Sequence, residues 1–217
     1  MIATTVKQLL KQILPAPVTR AIIAYRLPKT RQKNIQRWVD SGSPVPPPHQ
    51  YKQTVVEAYQ SKYHYNVLVE TGTYLGDMVE AQKNNFSKII SIELGETLWK
   101  NAVARFKKHD HISILQGDSG NVLKDVTRLL KEPAIFWLDG HYSEGITARG
   151  EKDCPIFKEI DAIFLKEKLD HVLLVDDARD FNGKGDYPTI DELTQYIKSK
   201  DNRYTVEVKD DIMRFTV

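Results

Sequence analysis

Apolar residues along the chain follow two alternating patterns. Short runs rich in Val, Ile and Leu, which are typical of buried strands, alternate with segments in which apolar residues recur every three or four positions, as in helices. The runs predict strands over residues 66–70, 88–93, 112–116, 134–139 and 171–176. The other segments predict helices near residues 51–63, 76–84, 95–108, 119–131, 154–166 and 189–199.

This alternation predicts the fold class. Strands that alternate with helices form a parallel sheet with helices on both faces. Residues 204–208 and 212–217 then predict two further strands, joined through an acidic turn into an antiparallel hairpin. We therefore expect an α/β fold, a Rossmann-like, doubly wound and mostly parallel seven-stranded sheet.

The N-terminal part has a different pattern. Helical spacing predicts a short amphipathic helix near residues 4–14, which Pro15 and Pro17 stop, and a second one over residues 18–25. Residues 41–48 contain four prolines and favour an extended linker. We predict a basic helical extension with its linker over residues 1–48 and one domain over residues 49–217.

Charge is uneven along the chain. Residues 1–40 carry eight of the 31 Lys and Arg residues and one of the 29 acids. Three interpretations of this basic extension stay open: it packs on the body or on a second subunit of a homo-oligomer, it contacts an anionic membrane surface peripherally, or it is disordered. The overall charge of +2 gives no sign of nucleic-acid binding.

Composition also limits the compartment. Cys154 is the single cysteine, which excludes an intramolecular disulfide and fits a reducing compartment. No apolar run approaches the ~20 residues of a membrane span, and the N-terminal sequence lacks the pattern of a signal peptide. We expect a cytoplasmic protein, with peripheral membrane contact as the alternative.

A glycine-rich turn follows the first predicted strand. The sequence Glu70-x-Gly72-x-x-x-Gly76 fits neither the dinucleotide fingerprint G-x-G-x-x-G nor the P-loop, which needs a Lys-Ser or Lys-Thr. The pattern resembles the first motif of class I S-adenosylmethionine-dependent methyltransferases. That resemblance implies that Glu70, Gly72, Thr73 and Gly76 hold the methionine part of the methyl donor.

Acidic residues end the next two strands. Glu93 lies about 20 residues past the glycine turn, where an acid accepts both ribose hydroxyls. Asp118 and Ser119 follow the third strand and resemble the motif that faces the adenine, where Asp118 accepts from the exocyclic amine and Ser119 donates to a ring nitrogen. A helix cap is the other role that these two residues suit.

Three carboxylates follow the fourth and fifth strands: Asp139, Asp176 and Asp177. Clustered carboxylates repel one another unless a cation lies among them, and Mg²⁺ prefers such oxygen ligands. The pattern Asp-Gly-His with a later Asp-Asp resembles the metal-dependent, macrocin-type O-methyltransferases, and more loosely the catechol type. Two alternatives stay open: Asp177 caps the following loop, and Asp139 orients the methyl donor.

The segment after Asp139 supplies further candidates. His141 is a candidate general base, with a metal ligand, a substrate contact and a structural histidine as alternatives. Tyr142, Thr147 and Arg149 are candidate substrate contacts in a loop that would cover the site. Cys154 is expected to be structural.

Together these features predict an O-methyltransferase that uses S-adenosylmethionine, with Mg²⁺ as a further expected cofactor. The segment after the fourth strand lacks the Asn-Pro-Pro-Tyr of amino-methylating enzymes, which favours a small-molecule or saccharide hydroxyl over nucleic acid. The alternatives are a catalytically inactive methyltransferase-like binding protein and a nicotinamide-dependent oxidoreductase.

Overall fold

The computed structural model describes residues 29–140, 154–165 and 169–217. It consists of two compact units, Met1–Lys52 and Gln53–Val217. The predicted helices over residues 4–14 and 18–25 lie outside the described residues. Within the described ranges, no helix is both long enough and apolar enough to cross a membrane.

The first unit contains a helix that the sequence analysis missed. Helix α1 runs through residues 29–40 and ends at a turn in which Gly42 has a φ of +88°. The indole nitrogen of Trp38 donates to the carbonyl of Pro44 (2.7 Å), and its ring packs on Tyr51 with centroids 4.5 Å apart. Trp38 thus connects the end of α1 to the proline-rich segment.

The second unit contains a seven-stranded sheet and its helices. The strands are β1 (Val67–Thr71), β2 (Lys88–Glu93), β3 (Ile112–Gln116), β4 (Ala134–Leu138), β5 (Val172–Val175), β6 (Thr205–Lys209) and β7 (Ile212–Thr216). The helices are α2 (His49–Tyr63, which begins in the first unit), α3 (Asp77–Gln82), α4 (Glu96–Phe106), α5 (Ser119–Leu129), α6 (Ile156–Ile163) and α7 (Ile190–Lys200), with a 3₁₀ turn at Ala178–Asp180.

The strand order is β3-β2-β1-β4-β5-β7-β6. Strands β1 to β5 pair in parallel, and β7 is antiparallel to both β5 and β6. The predicted fold class is therefore confirmed. The first two crossovers run from β1 to β3 on one side, and the chain then returns to place β4 on the other side of β1. The carboxyl ends of β1 and β4 thus flank the topological switch point, where ligands bind in such sheets.

The strands are apolar because the sheet is covered on both faces. On one face Val69, Ile92 and Phe136 join residues of α5, α6 and α7 in a single buried cluster. On the other face Leu68 and Ile89 are fully buried. Alternation of side chains along a strand explains why neighbouring residues serve opposite faces.

The C-terminal hairpin is confirmed as well. A two-residue turn joins β6 to β7, with Lys209 paired to Ile212. Asp210 and Asp211 both have positive φ, 51° and 63°, as a type I′ turn requires. Aspartate tolerates this left-handed backbone better than most residues.

Candidate functional site

The glycine turn after β1 brings two strand ends into close contact. Gly72 has a φ of +84°, and a Cβ atom there would overlap the backbone carbonyl oxygen of Asp139. Its amide donates to the Ile92 carbonyl (2.9 Å). Gly72 therefore packs between the ends of β2 and β4, and a side chain at this position would separate them.

The rest of the turn is held by α4. Gly76, the residue before α3, has a φ of +78°, and a Cβ atom there would lie 2.8 Å from the ring of Phe106. Arg105 donates to the carbonyl of Leu75 (2.5 Å) and to the carboxylate of Asp77 (2.8 Å). The backbone of the turn is thus fixed on both sides.

Glu70 is buried beneath this turn. It is 2% exposed and lies between Ser91 of β2 and Trp137 of β4 in the sheet register. Ser91 donates to its carboxyl group, and Thr73 is 2.5 Å from the Ser91 hydroxyl. Burial, with smaller contributions from the Asp139 and Glu93 charges, raises the pKa of Glu70 to about 8. This hydrogen-bonded chain links Glu70 to the turn through Thr73.

Glu93 occupies the end of β2 with both carboxylate oxygens engaged. Oε2 accepts the backbone amide of Tyr74 (2.7 Å), and Oε1 accepts that of Gly95 (2.8 Å). Tyr74 reaches this position with a φ of 48°. Each carboxylate oxygen has two lone pairs, so each retains an acceptor position beyond the amide it binds. The amides thus fix the orientation of Glu93 without exhausting its capacity for hydroxyl groups.

The end of β3 shows the helix cap that the sequence left open as an alternative. Asp118 is the N-cap of α5 and accepts the amide of Asn121 (3.2 Å). Ser119 is buried, and its hydroxyl donates to Glu159 Oε1 (2.5 Å). The hydroxyl proton of Ser119 is therefore directed at Glu159. The adenine contact expected of Ser119 stays a prediction.

Glu159 is a site residue that the sequence analysis missed. It lies on α6 and is 2% exposed. A signal for it exists: Ile156, Ile160 and Ile163 form the buried stripe of α6, and position 159 falls on the same helical face. A carboxylate on a buried helical face needs a polar partner, which Ser119 provides.

Glu159 also borders a pocket. The pocket has a volume of about 190 Å³, part of it open to solvent, and lies at the ends of β4 and β5. Gly140 and Glu159 contribute polar walls, and the remaining lining residues are Leu138, Cys154, Pro155, Ile156, Val175 and Phe181. Cys154 is buried in this wall, as expected of a structural cysteine.

The three predicted carboxylates meet at the ends of β4 and β5. Asp139, Asp176 and Asp177 each place an oxygen within 4.8 Å of the others. Asp176 is 1% exposed and accepts the amide of Asp177 (2.9 Å). The sequence analysis thus identified a cluster that the fold assembles from two strands.

An arginine adjoins this cluster. Arg179 donates to Asp177 (2.8 Å) and pairs with Asp211 in the turn between β6 and β7. The backbone amide of Arg179 also donates to Asp211 (2.8 Å). These two carboxylates hold the pKa of the Arg179 guanidinium above its usual range, although its partial burial alone would lower it. The hairpin thereby helps position Asp177, which has a φ of 55°.

Four of the predicted site residues lie outside the described residues. These are the candidate base and the three candidate substrate contacts: His141, Tyr142, Thr147 and Arg149. Their roles stay predictions.

Comparison with known proteins gives a consistent result for the fold. Neither a protein-family model nor a curated protein sequence matches the chain. Among solved structures, an O-methyltransferase from Bacillus cereus in complex with SAH matches with a TM-score of 0.58 at 13% identity, over 100% of both chains. The SAH-bound methyltransferase PaMTH1 from Podospora anserina matches with a TM-score of 0.55 at 17% identity, over 94% of this chain and 97% of that one.

A third structure has the same architecture. The O-methyltransferase TomG from Streptomyces achromogenes, involved in tomaymycin synthesis and solved with SAM, matches with a TM-score of 0.54 at 12% identity, over 86% of this chain and 88% of that one. The protein thus has the fold of the class I S-adenosylmethionine-dependent methyltransferases.

Proposed function

We propose that the protein is an S-adenosylmethionine-dependent methyltransferase that acts on a hydroxyl of a small molecule or saccharide, with assistance from Mg²⁺. One observation supports this above the others. The Gly72 turn, the Glu93 carboxylate and the Asp118–Ser119 pair stand at the carboxyl ends of β1, β2 and β3, which are neighbours in the sheet.

This layout suits an extended nucleoside with an amino-acid tail. Neighbouring strands lie about 4.8 Å apart, so the three positions span about 10 Å. With the ribose on Glu93, the methionine part reaches the Gly72 turn on one side. The base then reaches Asp118 and Ser119 on the other side.

Glu70 takes a supporting role in this scheme. Because its carboxyl group is buried and bonded to Ser91, it acts on the ligand through Thr73 and the shape of the turn. This differs from the direct contact with the donor that the first motif implied. A neutral carboxyl group also avoids placing a third negative charge beside Glu93 and Asp139.

The acidic cluster fits a divalent cation. Two ligands of one Mg²⁺ lie at most about 4 Å apart, because each is 2.0–2.1 Å from the ion. Oxygens within 4.8 Å of one another need only small side-chain movements to reach that spacing. Asp139, Asp176 and Asp177 would hold the ion, and its chemistry would be to lower the pKa of the acceptor hydroxyl.

The chain's own residues supply the remaining steps. We assign His141 as the base that takes the proton of the acceptor hydroxyl. The oxygen then bonds to the methyl carbon as the bond from that carbon to sulfur breaks, leaving a neutral thioether. Tyr142, Thr147 and Arg149 would contact the acceptor.

Calorimetric titration of S-adenosylmethionine tests the central claim. Glu93→Ala should weaken binding by about 1–3 kcal/mol, or roughly 5- to 150-fold, because the ribose loses its carboxylate partner. Glu96→Ala is the matched control, since Glu96 lies on the same segment, is exposed and pairs only with Lys100 in the described structure. Binding without Glu93 dependence would place the ribose elsewhere.

Two further outcomes separate the rival functions. If wild-type protein binds no donor at millimolar concentration, the proposal fails, and nicotinamide cofactors become the next ligands to titrate. If it binds the donor but methylates no member of a panel of hydroxylated acceptors, a binding protein without catalysis is favoured.

The partners and compartment remain part of the proposal. We expect a cytoplasmic protein with a small-molecule or saccharide acceptor and no nucleic-acid partner. The basic charge of residues 1–40 supports peripheral membrane contact or a homo-oligomer interface through that segment.

A further inference from the structure

The Ser119–Glu159 hydrogen bond joins the first residue of α5 to α6, beside the segment that follows β4. Glu159 Oε1 accepts a hydrogen bond from the Ser119 hydroxyl, with the two oxygens 2.5 Å apart. The same oxygen would lie 2.9 Å from a Cβ atom on Gly140, the residue after Asp139. A buried carboxylate therefore contacts both the segment proposed to face the base and the segment that carries the acidic cluster.

Close packing of two helices fixes this pair. A Cβ atom on Gly120 of α5 would lie 2.7 Å from the Cβ of Lys158 on α6. Two turns further along, Thr127 donates to the carbonyl of Ala162 (2.8 Å). The backbones of α5 and α6 thus approach closely at both points, and they hold the Ser119 hydroxyl against Glu159.

The pair has a defined hydrogen-bond polarity. A serine hydroxyl has one proton, and here it is donated to Glu159 Oε1. Because Glu159 takes the Ser119 proton, the Ser119 oxygen offers only lone pairs to a further partner. The carboxylate of Asp118, which already accepts the Asn121 amide, is likewise an acceptor. Asp118 and Ser119 therefore present acceptors to a further partner.

We propose that Glu159 sets the specificity of the nucleoside subsite by fixing Ser119 as a hydrogen-bond acceptor, so that the subsite takes a purine with a 6-amino group and rejects the 6-oxo form. This inference rests on the proposed function, which places the ribose on Glu93. The amide of Gly117 donates to the Glu93 carbonyl (3.0 Å), so Asp118 and Ser119 directly follow a residue bonded to the ribose-binding position.

The chemistry separates the two bases clearly. A 6-amino group donates to the Ser119 oxygen, whereas a 6-oxo group would bring two acceptors together without a proton. Sites that bind through a directed hydrogen bond reject ligands that leave a buried polar group unpaired. Glu159 acts through Ser119, so it is a positioning residue.

Calorimetry with two ligands on the full chain tests this. The ligands are S-adenosylhomocysteine and its deaminated form, S-inosylhomocysteine. We expect wild-type protein to prefer the amino form by at least about tenfold. Glu159→Gln should reduce that preference by about tenfold, because a glutamine amide can donate to Ser119 and free the serine proton for a 6-oxo group.

A matched control lies on the same helix. Asp161→Asn makes the same acid-to-amide change on α6 at a side chain that is 49% exposed and bonded to Lys200 and Tyr196. It should leave the preference unchanged. Ser119→Ala is the second route to the same answer: it removes the acceptor itself and should also reduce the preference, even if Glu159→Gln fails to fold.

The outcomes are distinguishable. An unchanged preference in both Glu159→Gln and Ser119→Ala overturns the specificity role, while binding of S-adenosylhomocysteine still supports the proposed function. Wild-type protein that favours the 6-oxo form also overturns it. Failure of wild-type protein to bind either ligand removes the proposed function and this inference with it.

Discussion

Gly72 faces the backbone carbonyl of Asp139 so closely that the two strand ends leave no room for a side chain at position 72. The contact joins the turn after β1 to the acidic cluster after β4. Since β1 and β4 flank the switch point of the sheet, the shape of the candidate site depends on this one glycine.

Gly72→Ala should therefore destabilise the fold through two effects. A non-glycine residue at a φ of +84° costs about 1–3 kcal/mol, and the overlap with Asp139 adds to that cost. Gly185→Ala measures the backbone cost alone, because Gly185 has a φ of +61° and no atom within 4 Å of a Cβ position. Urea unfolding of both variants should show the larger loss for Gly72→Ala; equal losses would mean that β4 moves aside freely.

Glu70 should make stability fall as the pH rises. Its pKa is about 8 in the folded protein against 4.5 for an ordinary glutamate, so between these values only the folded state keeps the proton. Stability from this group is complete below pH 4.5 and is lost as the pH rises through 8, at up to about 1.4 kcal/mol per pH unit. Unfolding measured from pH 6.5 to 8 should show this slope in wild-type protein and a flatter one in Glu70→Gln. Identical slopes would show that Glu70 ionises normally.

His171 should act in the opposite direction at lower pH. It is buried beside Phe136, and its Nδ1 accepts the amide of Ala134 (3.0 Å). Burial lowers its pKa from 6.5 to about 4. Its contribution is therefore complete above pH 6.5 and is lost as the pH falls through 4, because the unfolded chain takes up a proton first.

His171→Asn keeps an acceptor for Ala134 and removes the titrating ring. Its loss of stability between pH 6.5 and 4 should be smaller than that of wild-type protein, when each is referred to its own value at pH 6.5. Both the His171 parent and His171→Asn should carry Glu70→Gln, because this substitution removes the opposing pH dependence of Glu70 over the same range. A variant that loses stability as steeply as its parent would exclude His171 as the source.

If Asp139, Asp176 and Asp177 hold Mg²⁺ as proposed, Asp176→Asn should reduce Mg²⁺ affinity by at least about tenfold, since it removes one buried negative charge from the cluster. Asparagine keeps an oxygen for the Asp177 amide, so the local fold should persist. Asp180→Asn, on the adjoining 3₁₀ turn and outside the cluster, is the control. Direct Mg²⁺ titration without other ligands gives the readout, and equal affinities for all three proteins would place any bound ion elsewhere.

The alternation of strands with helices and the carboxyl-edge candidates followed from the sequence because they depend on local pattern, whereas the order of the strands within the sheet was not predicted. Apolar runs marked the strands, and parallel pairing brings their carboxyl ends to one edge, so Asp139 and Asp176 were expected to meet. Boundaries shifted by a residue where pairing decides them: β1 extends to Thr71 because Thr71 pairs with both Ile92 and Leu138.

Other features depend on tertiary contacts that no local pattern encodes. The hydrogen bond between Ser119 and Glu159 forms because α5 and α6 approach closely at Gly120. The raised pKa of Glu70 follows from burial between β2 and β4, whereas in the sequence Glu70 looks like any acid before a glycine turn. Helix α1 escaped prediction because its residues are mostly polar, and Trp38 gains its partners from outside the helix.

Strand β7 lies between β5 and β6, although it is made after both of them. While the nascent chain leaves the ribosome, β5 keeps an unpaired edge until residues 212–216 emerge, and such edges invite pairing with other chains. The ion pair between Arg179 and Asp211 likewise cannot form until Asp211 has been synthesised. The last residues to be synthesised therefore complete both the sheet and the ion pair beside Asp177. A chain that stops before Asp211 and β7 would have an unpaired edge at β5 and would lack the Asp211 contact that holds Arg179 beside the acidic cluster.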